Sequence, residues 1–399
     1  MKKNKQDGAP YDAVLLRDQD MFKIGGIEFV AIHTPGHTPE HMSYLVYDRG
    51  AGATTPIGIV TGDFVFVGDL GRPDLLEQAA GMHGVQEASA KMLFSSLPKF
   101  KALEDYLQVW PAHGAGSTCG KALGAVPTTT VGYEKRYNAS LGAAQGGEDA
   151  FVEAILAGQP EPQMYFARMK RDNKLGAPVL GALPQPKKLT AVELAEIVER
   201  EEVLVVDTRP DRSAFMANHL PGALYAPMNK MFNAVVGSLV MDETTPIVLI
   251  TREESVEEAV RDLVRIGYDD VIAYATVETL EHYFAAGGIK RTIKEIDFQQ
   301  LESLRQGPNV AVVDVRFAAE FASGQVPDAI NASYTRLPDY LNDRIPDGKT
   351  LAVHCGSGAR AAAAASFLAA KGFDVQYVNG SFTEYRVAEE VVSGDAIIA

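Results

Sequence analysis

An internal duplication in the second half of the chain governs how this sequence can fold. One copy reads Val203-Leu-Val-Val-Asp207-Thr-Arg209, followed by Phe215 and Pro221-Gly-Ala; the other reads Val310-Ala-Val-Val-Asp314-Val-Arg316, followed by Phe321 and Pro327-Asp-Ala. The two aspartates stand 107 positions apart, and Phe precedes Pro by six in both copies. Each copy continues with a short apolar run (246–250 and 350–354), a loop, and a helical stretch closing near Gly267 or Gly372. Strand-like and helix-like stretches alternating over about 100 residues specify a small doubly wound α/β unit.

The rest of the chain divides around this repeat. Its 399 residues suggest two to four domains. Residues 1–126 read as short strands and turns, with a helix-like stretch at 83–107. Residues 127–186 read as a helical extension, clearest at Glu148–Leu156, and a linker at 180–188 that carries two prolines and a glycine. The two copies then occupy 187–290 and 291–399.

Composition excludes several functions. A hydrophobic fraction of 46% with 22% charged residues is that of globular domains. The net charge is −15 and no long Lys/Arg run relieves it, so no nucleic acid is expected as partner. No run of 18 apolar residues is present, so no membrane span is expected. The start, MKKNKQDGAPYD, is basic but has no apolar core behind it, and a cytoplasmic location follows as the expectation. Only Cys119 and Cys355 occur, which cannot build a disulfide framework and leaves both thiols open to chemistry. A homo-oligomer is compatible with all of this.

The second copy carries the sharper motif, Leu-Ala-Val-His354-Cys355-Gly-Ser-Gly-Ala-Arg360, which runs into an alanine-rich helix beginning near Ala359. A strand ending at His354 and a helix starting at Ala359 leave Cys355, Gly356, Ser357, Gly358 and Ala359 as a tight cradle. Its backbone N–H groups and the helix N-terminus favour a thiolate, a persulfide or a bound anion. Arg360 adds a cation at the far side. A loop of six residues, Cys355 to Arg360, suits one transferred sulfur better than a tetrahedral phosphate. The first copy reads Leu249-Ile250-Thr251-Arg252-Glu253-Glu254-Ser255 at the same place, with neither thiol nor glycine cradle. A packing or docking role is expected for it.

The second copy resembles the rhodanese family. Asp314-Val-Arg316, Gly324-Gln-Val-Pro327-Asp-Ala-Ile-Asn331, the Cys355 loop and Tyr377-Val-Asn-Gly380 carry the resemblance. It implies a Cys355 persulfide that hands sulfane sulfur to a thiol or cyanide, with Asp314 and Arg316 as a structural ion pair. The first copy resembles the same family without its cysteine.

In the first segment, His33, His37, His41, Asp63 and His113 all read as lying just after apparent strands. Imidazoles with one carboxylate form the ligand set of zinc or of non-haem Fe(II). Thr34-Pro-Gly-His37-Thr-Pro-Glu-His41, Thr61-Gly-Asp63 and Pro111-Ala-His113-Gly resemble the C-terminal half of a metallo-β-lactamase-fold domain. More narrowly, Gly68-Asp69-Leu-Gly-Arg72-Pro-Asp74 and the stretch from His113 to Cys119 look like persulfide dioxygenases fused to rhodanese domains. That resemblance implies His37 and Asp63 as iron ligands and His113 at the second-metal position of the fold's hydrolases. It also implies Arg72 and Asp74 in a supporting or structural place, and leaves Cys119 as either a thiol near the persulfide or a packed loop residue. The family's His-x-His-x-Asp-His motif does not occur; the eight histidines are His33, His37, His41, His83, His113, His219, His282 and His354. Loss of an N-terminal part, a remnant domain, or completion by another polypeptide are the three expectations for this segment.

The combined expectation is an incomplete metallo-β-lactamase-like αββα domain followed by two rhodanese-like doubly wound α/β domains. The expected function is a sulfurtransferase of persulfide and sulfide metabolism. Its partners would be a low-molecular-weight thiol or persulfide and thiosulfate or sulfite. Fe(II) is the implied cofactor. The alternatives are a zinc-dependent thioester hydrolase and a non-catalytic scaffold.

Overall fold

The computed structural model describes residues 14–78, 84–114, 117, 119–121, 123–200 and 202–385. The chain start, His83 and part of the loop between His113 and Cys119 lie outside the described residues. The chain forms two compact units: Met1–Pro162 with Lys170–Ala177, and Gln163–Met169 with Pro178–Ala399.

The first unit is built on a six-stranded sheet in sequential order, β1 to β6. The strands are β1 (Met21–Ile24), β2 (Ile27–His33), β3 (Met42–Asp48), β4 (Gly58–Gly62), β5 (Gln108–Pro111) and β6 (Thr129–Thr130). Gly25, at φ +58°, starts the two-residue turn that closes β1 on β2. β4 and β5 are the parallel pair, because a crossover helix, Gln86–Lys101, separates them. Leu93, Leu97 and Phe100 recur at helical spacing and bury against Ile32, Ile59, Phe64 and Val109. Phe151 and Ile155 of Glu148–Leu156 complete this core.

In the second unit each copy forms a five-stranded parallel sheet, and the two strand orders are the same. Copy one comprises β7 (Lys187–Lys188), β8 (Leu204–Asp207), β9 (Leu224–Tyr225), β10 (Ile247–Ile250) and β11 (Val271–Ala275), ordered β7-β11-β10-β8-β9. Copy two comprises β12 (Lys294–Ile296), β13 (Val310–Asp314), β14 (Ile330–Asn331), β15 (Thr350–His354) and β16 (Asp374–Val378), ordered β12-β16-β15-β13-β14. The first helix of each copy opens with a capping box, Thr190 with Glu193 and Asp297 with Gln300. The chain leaves β13 toward one sheet edge and β15 toward the other. Their carboxyl ends therefore flank the crevice where doubly wound sheets bind ligands, and Cys355 follows β15.

The alanine-rich helix, Ala359–Ala370, explains its own composition. Ala361, Ala362, Ala363, Ala364 and Ala365 are all fully buried, inside one continuous apolar core that draws on both copies. The backbone N–H of Tyr225 in β9 donates to Ser366 Oγ at 2.9 Å, so copy one presses directly on this helix. Only a methyl side chain fits around most of its circumference. The same core joins the copies into one body, as their single compact unit requires.

His354 closes β15 in an apolar box. Its ring stacks on Phe382 at 5.7 Å and meets Phe298 edge-on at 5.6 Å. Neither ring nitrogen has a hydrogen-bond partner, and Asp314 Oδ2, at 3.6 Å, is beyond bonding reach. Burial pushes its pKa down from 6.5 to about 4, so the neutral ring is the folded form.

Two outcomes follow for stability. Ala363→Leu overfills the enclosed helix and should cost about 1–3 kcal/mol, read as a lower urea midpoint of the full chain; an unchanged midpoint would mean that the helix is loosely held. Because folding keeps His354 neutral, its contribution is complete above pH 6.5 and drains away as pH falls toward 4. That loss is about 3 kcal/mol at most. His354→Phe should flatten the urea midpoint across this window, and equal slopes in the two proteins would place the acid sensitivity elsewhere.

Candidate functional site

The Cys355 cradle is assembled from β15, the loop and the first turn of Ala359–Ala370. Cys355 sits at its floor, 1% exposed, and Ser357 stands exposed at the rim. Gly358 is the helix N-cap in a left-handed conformation, φ +86°. The N–H groups of Ala359, Arg360 and Ala361 precede the first intrahelical bond, which runs from Ala362 N–H to Gly358 O. Of these, Ala361 N–H donates to Cys355 Sγ at 3.4 Å. The dipole of a twelve-residue helix thus terminates at the sulfur.

Gly358 has no substitute. A Cβ there would fall 2.7 Å from Tyr377 Oη, 2.8 Å from Asn379 Oδ1 and 3.3 Å from the guanidinium carbon of Arg212. Gly356 O is fixed by the N–H of Phe382 at 3.0 Å. Arg360 grips Glu320 with both terminal nitrogens, at 2.5 and 2.7 Å. Glu320 was not singled out in the sequence, since forty positions separate it from Arg360 and no motif links them. Asp314 and Arg316 form a buried fork at 2.6–3.0 Å, and Arg316 also donates to Gly324 O. This pair braces the loop region from below, and Asp207 with Arg209 does the same in copy one.

Strand register identifies the residue that replaces the cysteine in copy one. Ile250 pairs with Asp207 as His354 pairs with Asp314, so Thr251 occupies the place of Cys355. It is buried, and its hydroxyl has no partner. A hydroxyl there cannot accept sulfane sulfur as a thiolate does.

In the first unit, parallel pairing sets Asp63, after β4, beside His113, after β5. His113 Nε2 lies 3.0 Å from Asp63 Oδ1, but off the line of a hydrogen bond, which leaves that buried oxygen without an aligned donor. The carboxylate, and after it the thiol of Cys119, push the His113 pKa upward. One ligand atom each from Asp63, His113 and Cys119 lie within 4.8 Å of one another. His37 is oriented by a bond from Nδ1 to Arg72 O at 3.0 Å. Arg72 is itself buried and forked onto Asp74 at 3.0 and 2.6 Å. Arg72 and Asp74 therefore support the loop that carries His37 without joining the cluster.

The other two histidines are engaged elsewhere. His41, which precedes β3 and does not follow a strand, accepts the Asp63 N–H on Nε2 at 2.9 Å and bonds Thr34 Oγ1 through Nδ1. Burial, with His37 nearby, lowers its pKa, so it is a neutral prop for the Asp63 turn. His33 Nε2 bonds Pro39 O at 2.8 Å. The cluster has the donor set of a cation seat: a carboxylate oxygen without an aligned donor, an imidazole and a thiol converge.

Comparison with known proteins agrees with both halves. The rhodanese-like domain family matches residues 190–276 and 297–388. The thiosulfate sulfurtransferase GlpE of Pseudomonas savastanoi pv. phaseolicola is 34% identical over 104 residues, 25% of this chain and 96% of that protein. A probable polyketide biosynthesis zinc-dependent hydrolase, BaeB, of Bacillus velezensis is 30% identical over 28% of this chain, which spans 41% of that protein. A crystal structure of a metallo-beta-lactamase from Staphylococcus aureus subsp. aureus COL is 36% identical, with a TM-score of 0.60, over 69% of this chain and 76% of that one. The fold is accordingly mixed α/β, with a metallo-β-lactamase-like sheet region ahead of two rhodanese repeats. By its duplicated domain and its cysteine cradle, the chain belongs to the rhodanese family.

Proposed function

We propose that this protein is a sulfurtransferase whose carrier is Cys355. The observation that supports this most is the helix N-terminus whose Ala361 N–H reaches the sulfur at 3.4 Å. In the forward step the Cys355 thiolate attacks the outer sulfur of thiosulfate. A new S–S bond forms, the old one breaks, and sulfite leaves with the electron pair. The terminal persulfide sulfur is then an anion held by the same N–H groups. An acceptor thiolate or cyanide attacks it, and the Cys355 thiolate is released with the bond pair. Gly358 and Gly356 let the backbone close around the group, and Tyr377 holds the loop through Gly358 O at 3.1 Å.

A second reading concerns the first unit, where His37, Asp63, His113 and Cys119 would hold a divalent metal. Resemblance suggests Fe(II) acting on a persulfide with dioxygen; zinc would instead suit a thioester hydrolase. A bound metal would supply Lewis acidity, and for iron also redox capacity, beside the Asp63 turn. The chain's own part is to hold the ligands still, through Arg72 O on His37 and His41 on the Asp63 N–H.

Thiosulfate:cyanide assays should show Cys355→Ser reduced at least about 10³-fold, with the mass of one added sulfur found on the wild type alone after thiosulfate. Equal rates would reject the carrier and leave a scaffold. For the metal, Co(II)-loaded protein should show a sulfur-to-cobalt charge-transfer band that Cys119→Ser removes. No Co(II) uptake would reject the site, and uptake with an unchanged spectrum would remove Cys119 from it.

A further inference from the structure

A thiosulfate dianion must approach a thiolate within a chain of net charge −15. Like charges repel, so the approach needs a local cation whose charge is not already spent. The obvious cations are committed. Arg360 and Glu320 form a two-pronged neutral pair. Arg316 is locked onto Asp314 and lies under the Phe382 ring at 3.8 Å.

A further cation at the loop, among the described residues, comes from the other copy. Arg212 opens the short helix Arg212–Ala217 of copy one, and its guanidinium carbon lies 3.3 Å from the point where a Gly358 Cβ would stand. No carboxylate or hydrogen-bond acceptor meets that guanidinium among the described residues. It is half-buried, so its field at the loop is less screened than that of a surface arginine. Its position is fixed by a link between the copies. Tyr377 Oη lies 3.1 Å from both Gly358 O and Asn379 Oδ1, and Asn379 Nδ2 reaches Ser213 Oγ at 3.4 Å. Arg212 and the cradle therefore keep one register even though they belong to different repeats.

We propose that Arg212 is the donor-binding cation of the Cys355 site, a specificity residue that the cysteine-less copy supplies to its partner. It would receive the sulfonate end of an anionic sulfur donor while the sulfane sulfur faces Cys355. Copy one has then lost its own chemistry but retains half of a shared binding site. This deepens the sulfurtransfer reading and rests on it.

Single-turnover persulfide formation, followed by quenching and mass measurement over a range of thiosulfate concentrations, separates binding from transfer. In Arg212→Gln the half-saturating thiosulfate concentration should rise about tenfold or more, equivalent to about 1.4 kcal/mol, with the limiting rate within about twofold of wild type. Arg212→Lys should fall between the two. Added salt should raise the half-saturating concentration of wild type more steeply than that of Arg212→Gln. A half-saturation unchanged in Arg212→Gln, or a loss confined to the limiting rate, would overturn the proposal. Cys355→Ser separates the two failures: if it still gains sulfur at the wild-type rate, the carrier reading is wrong. If it is inert while Arg212→Gln binds thiosulfate normally, only the role of Arg212 is wrong.

Discussion

The second unit depends on the enclosure of a single helix. Ala359–Ala370 must present its N-terminal N–H groups to Cys355 while lying between its own sheet and the neighbouring repeat. Both demands bear on the same element. A helix that drifted by an ångström would carry the Ala361 N–H out of reach of the sulfur, which it now meets at 3.4 Å. The alanines let the neighbours close in, and close packing is what removes that freedom. Stability and electrostatics are thus one problem here: the packing against copy one aims the dipole.

This gives the duplication a physical meaning. Two repeats with the same strand order share one core, so copy one could lose its thiol without becoming dispensable. Thr251 stands where a cysteine would act, yet Tyr225 still braces the helix through Ser366 and Ser213 still meets Asn379.

The legible part of the fold was what rests on local chemistry. The repeat spacing, the strand ends and the start of the helix at Ala359 follow from apolar runs, glycines and a duplicated Asp-x-Arg. The Cys355 loop was readable because a strand, two glycines and a helix start are adjacent in sequence. What escaped was everything that needs distant partners. Glu320 on Arg360 and Asn379 beside Gly358 are set by tertiary packing between distant segments, which leaves no pattern in one sequence. The histidines show the same limit from the other side. His33, His37 and His41 share one turn, but only three-dimensional hydrogen bonding separates His37, held through Nδ1, from His41, whose nitrogens are both used.

The two candidate sites differ in how they handle charge. In the second unit Arg360 is paired with Glu320 and Arg316 with Asp314, while the Ala361 N–H meets the Cys355 sulfur directly. In the first unit Asp63 Oδ1 is buried with no aligned donor, and the nearest cationic candidate, His113, leans on it from the side. His113, with His37 and His41 nearby, holds the Asp63 carboxyl below its ordinary range against the burial that raises it. A metal ion in the space shared by the carboxylate, the imidazole and the thiol would engage all three at once. The tight glycine turns around Asp63 serve the same end: a Cβ at Gly71 would fall 1.8 Å from Asp63 O and one at Gly62 2.7 Å from His41 Nε2, so the backbone itself holds the carboxylate in place.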